Sequence, residues 1–302
     1  MPGKKTVSGK LFGAIEAGGT KFNCAIADED DQLLAEASFP TTTPERTLAG
    51  ARDFFLHYLP KNQKLVSLGV ASFGPVDLDS NSASYGAITK TPKAGWSGVQ
   101  VREYFIQSLG IPVAFETDVN GAALGEMALG AAKGCKSFVY VTVGTGIGAG
   151  VVVNGRLLQG QFHPEVGHTL MPQAKGDNYT GCCPFHQGCL EGLASGTALN
   201  QRWQANPAAF PKDHQAWAFE AYYLAVMCVN LTQCYGPQKI VLGGGVMQQA
   251  HLFPSIRHEF SRLINGYAPD QLLAHLDSYI VPTALAGRAG VYGCLKMAKS
   301  LV

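Results

Sequence analysis

The chain has no apolar run near the ~18 residues a membrane-spanning helix needs. Only 15% of its 302 residues are charged, and the net charge is +1. The first shortage argues against a bilayer span. The second, with no local run of Lys or Arg, argues against the positive field that holds nucleic acid. No low-complexity or charged linker interrupts the chain. The opening stretch MPGKKTVSGKLF lacks an apolar segment ending in small residues, so no secretory leader is expected and the cytoplasm is the expected location. Disulfides do not persist among the reducing thiols there, so the eight cysteines are not read as four bridges. Cys24, Cys135, Cys228, Cys234 and Cys294 lie in apolar stretches and are expected to fill cores as small hydrophobes.

What remains is a chain that is 46% hydrophobic and long enough for two domains, each with its own core. Its 36 glycines cluster at the ends of apolar runs, where bare backbone lets something approach closely. Small-molecule chemistry is favoured.

Residues 11–17, 21–28 and 32–39 read as a strand meander, and 44–58 as a helix stopped by Pro60. A buried strand at 65–71, a helix at 99–109, a strand at 113–116 and a small-residue helix from 118 to 131 follow. Strands alternating with helices point to an α/β fold. The pattern then starts over at 137–143, 149–153 and 156–158, with EAGGTKF and TVGTGIGAG sharing one grammar of strand, Gly/Thr turn and strand. An internal duplication is expected, with domains at 1–118 and 119–287 and a helix within 288–302 returning to the first. Helices at 217–235, 253–264 and 287–299 and a strand at 239–242 complete the reading.

TVGTGIGAG carries Gly144, Gly146 and Ala149 at the spacing of the dinucleotide fingerprint, with Glu165 near the distance of its ribose acid. That motif needs a helix directly after the glycines, and GVVVNGRLL alternates like a strand. A hairpin turn can still bind phosphate, because consecutive Gly and Thr N–H groups make an anion nest. Either turn can equally be a simple hairpin closure. The cluster Gly243, Gly244 and Gly245 after KIVL suits a nucleotide lying against backbone, or a chain reversal. Asp118 stands between the strand VAFE and the next helix. There it is either the helix N-cap or a carboxylate at the carboxyl end of a strand, where α/β sites gather.

These residues together resemble a known family. EAGGTK (16–21) resembles the first phosphate motif of the actin, Hsp70 and sugar-kinase fold. ETDVN (116–120), EVGH (165–168) and CCPFHQGCLEGLASG (182–196) resemble the ROK sugar kinases, nearest the bacterial fructokinase branch. The motifs run in order from Glu16 to about Gly293. ROK repressors carry a helix-turn-helix ahead of this fold, and the roughly ten residues before the first strand are too few for one. The resemblance implies two actin-like, ribonuclease H-like α/β domains closing on ATP and a hexose, with Mg²⁺, a structural Zn²⁺ and a homodimer.

It implies D-fructose as substrate and Asp118 as the base that takes the hydroxyl proton. It brings Gly74, Pro75, Glu165, His168 and Glu191 to the sugar, while Asn120 serves the sugar or caps its own turn. It brings Gly18, Gly19, Thr20, Lys21, Gly144, Thr145, Gly146 and the 243–245 glycines to the nucleotide. His168, Cys183, His186 and Cys189 are two nitrogens and two sulfurs, a set for closed tetrahedral zinc. Cys182 is left a bystander. Glu16 stands where the family has Asp, one methylene further out. Other readings are a kinase for glucose, mannose or an N-acetylated amino sugar, or a sugar sensor without turnover.

Overall fold

Strand β1 (Leu11–Ala17) is apolar on both faces because both are covered. A computed structural model describes residues 9–59 and 63–302. β1 pairs antiparallel with β2 (Lys21–Ala27), which pairs with β3 (Leu33–Pro40). On its other side β1 runs parallel to β4 (Leu65–Ser72), which runs parallel to β5 (Val113–Thr117). Helices α1 (Pro44–Tyr58) and α2 (Val101–Leu109) cover one face, over a core of Leu11, Ile15, Phe22, Phe55, Leu68 and Phe105. Pro60, read as the stop of α1, lies outside the described residues, as does the stretch 1–8. The other face carries Phe12, Ala14, Ala25 and Ala71 beneath Val291, Cys294 and Leu295 of a helix near the C-terminus.

The second sheet repeats this plan. β6 (Phe138–Val143) pairs antiparallel with β7 (Ile147–Val153), which pairs with β8 (Arg156–Leu157). β6 runs parallel to β9 (Ile240–Gly243), and β9 to β10 (Ile280–Pro282). Strand orders β3-β2-β1-β4-β5 and β8-β7-β6-β9-β10 are the same, so the duplicated grammar of the two glycine turns marks duplicated topology. A strand, not a helix, follows Gly144 and Gly146, as the alternation of GVVV requires.

Chain contacts divide the molecule into two units, one of residues through Leu129 with Arg288–Val302, the other Gly130–Gly287. α3 (Asp118–Leu129), expected to open the second half, packs in the first unit against α10 (Ala289–Lys299). The helices meet closely because Gly125 and Gly293 lack side chains. A Cβ on Gly125 would strike the Ala289 carbonyl, and one on Gly293 the Gly121 carbonyl.

The second unit adds α4 (Leu190–Ala194), α5 (Gly196–Trp203), α6 (Gln215–Tyr235), α7 (Leu252–Ile264), α8 (Asp270–Leu273) and α9 (Leu276–Tyr279). α6 and α7 supply much of its core, including Tyr223, Leu224, Met227, Ile256 and Phe260.

Two of the five cysteines expected in cores are not there. Cys24, Cys228 and Cys294 are buried, and burial pushes their thiols well above the ordinary range. Cys135 is half-buried and Cys234 exposed, because the last turn of α6 emerges from the core. No described helix is long and apolar enough to cross a membrane.

Candidate active site

At the carboxyl end of the first sheet, strand register aligns Ser38, Asn23, Glu16, Ala71 and Glu116 in one row. Hydrogen bonds run along it: Ser38 Oγ donates to Asn23 Oδ1 (3.0 Å), and Asn23 Nδ2 donates to Glu16 Oε2 (2.8 Å). Burial raises the Glu16 carboxyl above its ordinary value, with the Asn23 bond and the Lys21 charge opposing. The turn beyond Glu16 is pinned by Gly18 N–H to the Lys21 carbonyl (2.9 Å) and by Thr41 Oγ1 to the Gly18 carbonyl (2.7 Å). Gly19, Thr20 and Lys21 are exposed.

Asp118 is the first residue of α3, directly after β5. Thr117 Oγ1 accepts the Asn120 N–H (3.1 Å), so the capping oxygen that serves the N3 amide is threonine's. Asp118 Oδ1 accepts the adjacent Val119 N–H, at 2.9 Å. Asn120 is buried and donates Nδ2 to Glu116 Oε2 (2.8 Å), which also accepts the Thr117 N–H (3.0 Å). Gly74 and Pro75 share a cis peptide bond, and the Pro75 carbonyl accepts both the N–H and the hydroxyl of Thr89 (2.7 and 3.1 Å).

In the second unit, Gly144, Thr145 and Gly245 line one pocket of about 590 Å³ with Gly196, Thr197, Asn200, Trp217 and Gln249. Gly196 N–H donates to the Gly144 carbonyl (2.7 Å), and Thr197 Oγ1 to the Thr145 carbonyl (2.7 Å). These bonds fix the Gly-Thr-Gly turn to the start of α5. Gly243 and Gly244 stand apart from the lining. The first faces Tyr140, and the second, at φ +92°, backs onto Val143. Gly146 faces Glu191: a Cβ there would lie 2.5 Å from Oε2, the oxygen that accepts the Ile147 N–H at 2.9 Å.

His168, Cys183, His186 and Cys189 converge, their donor atoms all within 4.8 Å of one another. Cys183 Sγ lies 3.7 Å from His168 Nδ1 and 3.8 Å from His186 Nδ1, and Cys189 Sγ lies 3.7 Å from His168 Nδ1. Bonds of about 2.3 Å to sulfur and about 2.0 Å to nitrogen at tetrahedral angles set an S···N edge of about 3.5 Å, close to these separations. Four protein donors with that edge fit a closed zinc site. Cys182 is not among them. His168 sits in a 3-10 turn (Val166–His168), and Cys189 caps α4, its Sγ accepting the Gly192 N–H.

Two residues beyond Cys189, the same helix carries Glu191, whose Oε1 lies 4.0 Å from His168 Nε2. Glu165, three residues before His168, is 40% exposed in its side chain and accepts from or is paired with His163 Nε2 at 2.9 Å.

The ROK family model matches residues 12–300. The chain belongs to the ROK family. It is 42% identical over 296 residues to a fructokinase of Streptococcus mutans, covering 97% of this chain and 98% of the relative. It is 43% identical over 296 residues to a fructokinase of Zymomonas mobilis, covering 96% of each. Among solved structures it is similar to the ROK hexokinase of Thermus thermophilus, with 27% identity, a TM-score of 0.78 and coverage of 96% and 98%. The two five-stranded units are thus the actin-like α/β pair of the ROK fold.

Several residues of this ROK chain's sites escaped the sequence reading. Thr197 and Asn200 of α5, Trp217 of α6 and Gln249 before α7 line the pocket from distant parts of the chain, and only folding gathers them. Ser195, whose hydroxyl accepts the Ala198 N–H (3.1 Å), was a legible N-cap signal for α5.

Arg202 had no signal. It pairs with Asp177 at 3.1 Å, both side chains under 10% exposed, and donates to the Leu193 carbonyl at 3.1 Å. Tyr223 donates its hydroxyl to Asp177 at 2.6 Å, which with burial pushes the phenol up to about 12. This buried network ties the segment between His168 and Cys183 to α5 and α6.

Proposed function

We propose that the chain transfers the γ-phosphoryl group of ATP to the 6-hydroxyl of D-fructose. The observation that carries this is near-full-length identity of 42–43% with proteins named fructokinases. The geometry supports it piece by piece.

Asp118 accepts the proton of the attacking hydroxyl as the oxygen bonds to phosphorus, and the P–O bond to ADP breaks. Its place at the carboxyl end of β5, where α/β sites gather, supports that role, and the cap of α3 is supplied by Thr117. Each glycine turn, 18–21 in the first unit and 144–146 in the second, offers backbone N–H groups suited to phosphate. The pocket bounded by Gly144, Asn200, Trp217 and Gly245 takes the nucleoside.

Mg²⁺ bound with ATP supplies positive charge against the phosphate oxygens. It favours carboxylate and water ligands, and Glu16, the carboxylate beside the first turn, fits as the residue that orients that hydrated ion. Zn²⁺ in the His168, Cys183, His186 and Cys189 site supplies a cross-link with no open coordination position. The chain's own residues do the rest. Glu191, anchored at Oε2 by Ile147 N–H, offers Oε1 to the hexose. His168 offers Nε2, because Nδ1 faces the two sulfurs. Glu165 adds a second carboxylate for the hexose, and the Gly74–Pro75 turn is the first unit's own candidate for a hexose contact. The assembly is a homodimer, which sedimentation checks.

Turnover across fructose, glucose, mannose and N-acetylglucosamine in a coupled ADP assay tests the reading. The highest kcat/KM is expected with fructose. A preference for another hexose overturns the substrate, and hexose binding without ADP release overturns the kinase.

A further inference from the structure

Helices α3 and α10 lie over the polar row of the first sheet, and each sets a glycine upon it. Gly121 covers Ala71, where an added Cβ would stand 2.5 Å from the alanine Cβ. Gly290, the second residue of α10, covers Glu16. The three atoms nearest an added Cβ there all belong to Glu16: Oε1, then Cδ at 2.5 Å and Cγ at 2.7 Å. Gly69, Gly125 and Gly293 of the same helix contacts abut backbone of Cys294, Ala289 and Gly121. Those three serve packing. Gly290 instead abuts the side chain that departs from the usual Asp.

The end of a flexible side chain ordinarily swings clear of a new methyl group. Glu16 is held by Asn23 at Oε2, and Asn23 in turn by Ser38. Burial leaves the carboxyl little alternative space and raises it above its ordinary value. A methyl at position 290 therefore moves the carboxylate itself.

We infer that Gly290 is a positioning residue for Glu16, its missing side chain being the space that the longer glutamate occupies beside the first phosphate turn. The inference rests on the reading of Glu16 as the residue that orients Mg²⁺ with ATP.

Four proteins test it: wild type, Glu16→Asp, Gly290→Ala and the double variant. Ala is the better helix former, so propensity alone favours Gly290→Ala. Its kcat is nevertheless expected to fall by up to about 10²-fold, as misplacement of a phosphate-site group does. The Mg²⁺ concentration for half-maximal turnover should rise with it. Glu16→Asp withdraws the carboxylate by one methylene, so the double variant should be more active than Gly290→Ala. Unchanged Mg²⁺ dependence in Gly290→Ala, or a double variant worse than it, overturns the inference.

Thermal unfolding of the same four proteins is a readout independent of turnover. Glu16→Asp should recover the midpoint or the soluble yield that Gly290→Ala loses, and additive losses overturn the contact. If wild type phosphorylates no hexose, the kinase reading falls, while the unfolding coupling still decides whether Gly290 makes room for Glu16.

Discussion

His168 turns Nε2 toward Oε1 of Glu191, 4.0 Å away, while its Nδ1 stands 3.7 Å from both Cys183 and Cys189 sulfurs. One imidazole thereby joins a metal-type cluster to a carboxylate on the next helix. Zinc ligands commonly use their second nitrogen this way, which fixes ring orientation. The 4.0 Å gap is too long for a hydrogen bond, and a polyol hydroxyl that meets both groups would bridge it. On the proposed function, metal, sugar and α4 are in this way parts of one construction.

Asp118→Asn keeps the shape of α3, since Thr117 provides the cap. With the proposed base gone, kcat should drop by about 10²–10⁴-fold, while KM for ATP and hexose stays within a few-fold. Steady-state kinetics on protein with an unaltered unfolding midpoint checks this. Near-normal turnover removes Asp118 from the mechanism.

Gly146→Ala places a Cβ 2.5 Å from Glu191 Oε2 and disturbs the bond from Ile147 N–H. Loss of a hydrogen bond to a charged group costs about 1.5–3 kcal/mol, so KM for the hexose should rise roughly tenfold or more. An unchanged hexose KM would show that Glu191 does not hold the sugar.

Gly293→Ala forces a methyl into the Gly121 carbonyl where α3 and α10 touch. Overpacking of this kind costs about 1–3 kcal/mol. Urea unfolding should show a lower midpoint for the variant, and an unmoved midpoint contradicts the close helix contact.

Glu220 is buried, and neither carboxyl oxygen finds a hydrogen-bond partner among the described residues. Burial raises it well above the ordinary 4.5, with Arg202 opposing in part. In the folded chain it stays protonated after its unfolded counterpart has ionised. Stability therefore declines as pH climbs from about 4.5 toward the raised value. Midpoints measured across that range should fall less steeply in Glu220→Gln, and equal slopes for the two proteins would contradict the assignment.

Most of the fold was legible because its signals are local. Apolar strands, the breaks at glycine turns and the repeated Gly/Thr grammar are properties of short windows, and they gave both sheets and the duplication. β10 was not legible: three residues ending in Pro282 gain strand character only from pairing with β9. The helices α4 and α5 hid in a glycine-rich run whose N-caps are Cys189 and Ser195. The His168, Cys183, His186 and Cys189 cluster could be read because three of its members sit within seven residues and chemistry limits the choice. Arg202, Asp177 and Tyr223 could not, because nothing in the spacing of three distant residues announces a buried ion pair. That the Cβ side of Gly146 faces Glu191 was not legible either, since the reading had no way to see which element lies across the turn.

The most direct measurement compares hexose and ATP affinities of metal-replete protein with those of chelator-stripped protein, alongside zinc content per chain. About one zinc per chain is expected, and its removal should raise KM for fructose by about 10–100-fold while KM for ATP stays unchanged. Stripped protein that phosphorylates fructose with its original KM would contradict a metal-held sugar site.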